Sequence, residues 1–113
     1  MKNLLFIFFL LTGYVHADGI DGTFVPPTQR EDGTVLTQAE IANYEVYLND
    51  VASLTVPAGA TTFTLTLDPG TYSLYMTTVD TDGRISLPSN VVSVTAKSPP
   101  GNPANLIIKI RKN

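Results

Sequence analysis

Short runs of alternating polar and apolar positions dominate the chain after its first 17 residues. Ile41–Leu48 (IANYEVYL) sets Tyr44, Val46 and Leu48 on one face and Glu45 and Tyr47 on the other. Thr62–Leu67 (TFTLTL) alternates Phe63, Leu65 and Leu67 with threonines. Tyr72–Thr78 aligns Tyr72, Leu74, Met76 and Thr78, and Val91–Thr95 aligns Val92 and Val94. A period of two in Thr, Val, Tyr and Phe marks half-buried strands. Val51–Val56 reads as a weaker edge strand closed by Pro57-Ala58-Gly59. Gln38-Ala39-Glu40 has room for a single helical turn, too short to persist alone. Asp32-Gly33, Pro69-Gly70 and Asp82-Gly83 supply turns between the strands. Their spacing predicts an all-β antiparallel sandwich. The inward set is expected to be Phe24, Ile41, Tyr44, Val46, Phe63, Leu65, Leu67, Tyr72, Leu74, Met76, Val92 and Val94.

The first 17 residues follow a different pattern. Met1-Lys2-Asn3 is a short basic start, Leu4–Leu11 is unbroken apolar, and Val15-His16-Ala17 ends on a small residue. That order is a secretory leader, with cleavage expected after Ala17. Gly13, His16 and Asp18 interrupt the run well before the ~20 apolar residues of a spanning helix. No stable membrane anchor is therefore expected after cleavage, and the product is secreted, periplasmic or extracellular. At the other end, Ser98–Asn105 (SPPGNPAN) is a proline-rich linker. Residues 106–113 follow as a further strand candidate with a basic end, in which Leu106, Ile108 and Ile110 share a face.

Six segments, in order, carry a resemblance. They are Phe24-x-Pro26-Pro27, Asp32-Gly33-Thr34-x-Leu36, Ile41-Ala42-Asn43-Tyr44-x-Val46-Tyr47, Leu67-x-Pro69-Gly70-Thr71-Tyr72, Val79-Asp80-x-Asp82-Gly83-Arg84-x-Ser86, and Ser89-Asn90-x-Val92-Ser93-Val94. The succession resembles bacterial and phage fibronectin type III domains over Thr23–Lys97, within a domain bounded at residues 20–97. The resemblance implies an immunoglobulin-like sandwich, with strands A, B and E in one sheet and C, C′, F and G in the other. It implies that Tyr72 is the corner tyrosine at the start of strand F, its hydroxyl bonded to nearby backbone. Phe24 stands where the family usually has a strand-B tryptophan. Asp18–Thr23 is too short to hold strand A ahead of a full strand B, so strand A is expected to be missing. A strand B without that neighbour exposes an unpaired edge.

The strand at residues 106–110 is a candidate replacement, and the fold is accordingly expected to carry an extra C-terminal strand. A hairpin beside strand G is the favoured placement. Donation to a neighbouring molecule, a crossing to strand B within the chain, and a disordered tail are the others. Charge bears on this choice. Residues 18–97 hold ten acidic and three basic residues, net −7, whereas Lys109, Arg111 and Lys112 make the tail basic.

Composition narrows the chemistry. The chain has no Cys, and its one His is His16, inside the leader. Triads of the Ser-His-Asp or Cys-His type are therefore excluded in the processed chain, and no metal or cofactor is expected. Asp80 and Asp82 read as a hairpin turn, since the later ligands of a calcium loop are absent. As a glycosidase pair with Asp80 or Asp82, Glu31-Asp32 would need a substrate cleft, which a small sandwich is not expected to form. The acidic balance argues against nucleic acid. The expected function is a non-catalytic structural or protein-interaction module, its partner a protein or a second copy met through an edge strand. The alternative is a carbohydrate-binding or enzyme-accessory module with a glycan on an outward surface of Tyr47 and Tyr75. The candidate sites are thus the Tyr47–Tyr75 face and the docking strand Leu106, Ile108 and Ile110.

Overall fold

The structure, a computed structural model, describes residues 17–112. The expected leader lies outside the described residues apart from Ala17. Among the described residues, no helix is long and apolar enough to cross a membrane.

Among the described residues, six strands form two antiparallel sheets. Strand β1 (Asp18–Thr23) pairs with β4 (Thr62–Leu67). The second sheet has the order β3-β2-β5-β6, built from β2 (Ile41–Leu48), β3 (Val51–Pro57), β5 (Gly70–Asp80) and β6 (Val92–Ala96). The β2–β3 hairpin turns at Asn49 and Asp50, which adopt positive φ of 49° and 66°. Asn and Asp tolerate that region better than most residues. Gln38–Glu40 forms the single predicted turn as a 3₁₀ helix, closed by reciprocal Thr37 and Glu40 contacts that make a capping box.

Ile41, Tyr44, Val46, Val56 and Leu74 meet between the sheets and, with Leu36, form the buried centre. Phe24, Phe63, Leu65, Tyr72, Met76 and Val94 pack around them, half-buried. The ring of Phe24 lies edge-on to Tyr44 at 4.7 Å. The Tyr72 hydroxyl donates to the Asp68 carbonyl at 2.7 Å, the backbone bond expected of it.

Three expectations need correction. Val92 is 49 % exposed. Its alternation is right, but the two-stranded sheet is too narrow to cover the outermost strand of a four-stranded one. Phe24 lies one residue beyond β1: its amide still bonds the Thr61 carbonyl, and Pro26 and Pro27 then end any pairing. The extra C-terminal strand is not formed. Residues 98–112 carry no regular structure, and neither the hairpin beside β6 nor the crossing within the chain occurs. Pro99 and Pro100 follow β6 closely, lack amide N–H groups and fix φ, so the chain leaves the sheet edge.

Candidate functional site

The first candidate lies on the outer face of the larger sheet. Tyr47 and Tyr75 are direct partners in the β2–β5 register. Their rings stack at 4.9 Å with 11° between planes, and both are half-buried. Adjacent strands are about 4.8 Å apart, so the rings stand side by side with one face of each against the other. This is a cross-strand aromatic pair in which one face of each ring covers the other. Burial, followed by the nearby Asp50 carboxylate, holds the Tyr75 phenol above its ordinary value.

The second candidate is the tail. Leu106, Ile107, Ile108 and Ile110 are 83, 78, 80 and 87 % exposed. Four of five consecutive positions are thus large aliphatics in water, whereas exposed apolar residues on soluble proteins are normally scattered singly. Asn105, at φ 58°, turns the backbone just ahead of them.

A third feature was not anticipated. An open cleft of about 870 Å³ runs between the segment after β1 and the segment before β6. Phe24, Pro27 and Arg30 line one side, Ile85 and Leu87 the other, over Tyr44, Met76 and Asp80. Ile85 and Leu87 are 63 and 71 % exposed. The β6 side is irregular because two serines replace strand pairing there. The amides of Ser86 and Ser89 donate to the carbonyls of Thr78 and Met76, while their hydroxyls accept from the amides of those same residues. Pro88 sits between them, where a regular strand would need an amide donor.

Asp80 organises the end of the cleft. Its carboxylate accepts from the backbone amides of Asp82 and Arg84 at 3.0 and 2.7 Å, fixing the Asp82-Gly83 turn. Its second oxygen meets Arg30 at 2.9 Å and Arg84 at 3.3 Å. Arg30 reaches on to Glu40 at 3.3 Å. The Arg30 guanidinium foremost, then the Arg84 amide, hold the Asp80 carboxyl well down, to about 2. Asp80 continues the inward parity of Leu74 and Met76, so a carboxylate at the end of that series was the available sign of a buried ion pair. Both oxygens of Asp80 and both of Glu40 have structural partners. Glu31 and Asp32 line the same cleft, so the cleft not expected of so small a sandwich is present beside these carboxylates. Nearby, the hydroxyls of Tyr44 and Thr77 are buried without hydrogen-bond partners.

Elsewhere, Asp32 accepts from both the amide and the hydroxyl of Thr34, so it serves its own turn. Among the described residues, no group of three or more His, Cys, Asp or Glu side chains is placed to hold a metal ion. The Tyr47–Tyr75 pair and the tail are not brought together: one lies on a sheet face, the other beyond the last strand. Comparison of the chain with protein-family models, with curated proteins and with solved structures finds no match.

Proposed function

We infer that the chain is an exported, non-catalytic structural and protein-interaction module of the fibronectin type III kind, which assembles through its C-terminal strand. The division of strands supports the type: β1 with β4, and β3-β2-β5-β6, correspond to B with E and C′-C-F-G without strand A. The Tyr72 corner bond agrees with it. The observation that carries the function is the exposure of Leu106–Ile110 beyond a proline-rich linker. Each aliphatic side chain contributes roughly 1.5–3 kcal/mol when buried, so docking this segment has a large driving force. Deleting Pro103–Asn113 is expected to change elution on sizing or to lower the melting temperature. An unchanged elution volume and an unchanged melting curve would overturn the reading.

The stacked tyrosines carry the alternative of a glycan-binding module. A sugar ring packs on an aromatic face, and here one face of each ring is already covered. Replacing Tyr47 and Tyr75 together by Ser removes the surface and leaves the inner core intact. Loss of binding on a glycan array would favour this second reading over the first.

A further inference from the structure

We propose that the tail of one copy pairs with the free edge of β1 in a second copy, antiparallel, with Ile110 opposite Ile20, Ile108 opposite Gly22 and Leu106 opposite Phe24. This deepens the interaction-module reading and rests on it, including removal of the leader ahead of Asp18.

The acceptor follows from the unequal width of the two sheets. Among the described residues, β1 pairs only with β4, so its second edge carries unpaired backbone groups. The cleft opens beside its continuation, with Leu87 and Ile85 exposed in its lining, and Val92 is exposed at the start of the neighbouring β6. A third strand beside β1 would widen the small sheet over these residues.

Side-chain chemistry selects the register. Ile20, Gly22 and Phe24 are the half-buried positions of the acceptor segment; Asp21 and Thr23 are exposed. In the proposed pairing the three aliphatics of the tail fall on the inward positions. Lys109 then stands opposite Asp21, and Lys112 opposite Asp18. A slip of one residue would turn the aliphatics outward. A slip of two one way places Ile110 opposite Asp18. Two the other way sets Lys112 against Ile20 and Leu106 against Pro26, which has no amide to donate.

Strand direction selects a second copy. Asp18 lies opposite Leu67, Ala96 lies opposite Gly70, and only Asp68 and Pro69 separate Leu67 from Gly70. Asp18 and Ala96 are therefore at the same end of the molecule. A tail leaving Ala96 and continuing in the direction of β6 moves away from its own body. Entering the next copy at the Phe24 end, it runs antiparallel to β1 without reversing. The contact is head-to-tail, so it propagates into a fibre or closes into a ring. The tail is basic and the acceptor body acidic, which favours encounter between copies.

The test is sedimentation velocity of the chain from Asp18 to Asn113, without the leader, over a concentration series. The expected result is a ladder of oligomers or one closed ring. Ile108→Asp with Ile110→Asp should weaken assembly at least about 100-fold; these side chains are exposed in the isolated molecule, so the body still folds. Asp21→Lys or Lys109→Asp alone should weaken it by up to about five-fold, and the two together should recover it. A chain monomeric at every concentration overturns the proposal. So does an oligomer in which the two charge reversals fail to compensate; if that oligomer is still lost on deleting Pro103–Asn113, the tail docks elsewhere and the interaction-module reading stands. If neither assembly nor melting responds to the deletion, both fall.

Discussion

Val46 and Val92 are the same residue, both on inward-facing positions of the larger sheet, and their fates are opposite. Val46 is fully buried, at 0 % exposure, with Val56 and Tyr44 beside it. Val92 is 49 % exposed. The difference lies in what stands across the gap. The β1–β4 pair covers β2 and its flanks, and among the described residues the start of β6 is left half-open. Inward orientation belongs to a strand, whereas burial belongs to a pair of sheets. The chain is thus divided into a closed flank that holds the fold and an open flank, bordered by the cleft, that is available to a partner.

Phe24 stands between the two flanks, and removing it tests the boundary most severely. Phe24→Ala should cost about 3 kcal/mol, because the ring packs on both Tyr44 and Phe63. A chemical-denaturation midpoint equal to that of the parent would show that the closed flank does not depend on it. Val46→Ala should cost about 2 kcal/mol, and Val92→Ala below about 0.5 kcal/mol. Equal costs, measured on dilute monomer, would erase the contrast. In a concentrated sample, assembly onto the open flank should raise the cost of the Val92 change alone.

The Tyr72 corner bond belongs to the closed flank. Tyr72→Phe removes one hydrogen bond to Asp68 and should cost about 1 kcal/mol by thermal melting. Acid probes the cleft end. The folded-state value of Asp80, about 2, lies below its ordinary 3.8. A depressed carboxylate stabilises the fold fully above pH ~4, and this contribution is lost as pH falls towards 2. Asp80→Asn should therefore be less stable than the parent near neutrality and show a flatter stability profile over that window. Parallel profiles would place the acid sensitivity elsewhere. Tyr44→Phe should act in the opposite direction. It deletes a buried hydroxyl without a partner, so it should be neutral or stabilising by about 1 kcal/mol.

Much of this was legible before any tertiary contact was known. Period-two alternation identified β2, β4, β5 and β6 and the outward direction of Tyr47 and Tyr75, because strand geometry alone fixes which residues share a face. The role of Asp80 was less accessible. Its parity with Leu74 and Met76 marks it as inward, but its partner Arg30 lies 50 positions away in sequence, and no local pattern links them. Ser86 and Ser89 look like ordinary loop residues until the edge of β5 is placed beside them. Of the two candidate surfaces, the tail could not be positioned from pattern alone.

What the amino-acid order determined by itself was local: the strand segments, their turns at Asp32-Gly33 and Asp82-Gly83, the lack of any Cys and of any His beyond His16, and the apolar face of Leu106, Ile108 and Ile110. These follow from backbone sterics and side-chain type, which act over a few residues. The tertiary structure decided how wide each sheet is, and hence which inward faces are covered, where the cleft opens, and that the tail stays off its own body. Those outcomes depend on which strands meet across long sequence separations, and alternation carries no information about who the neighbour is.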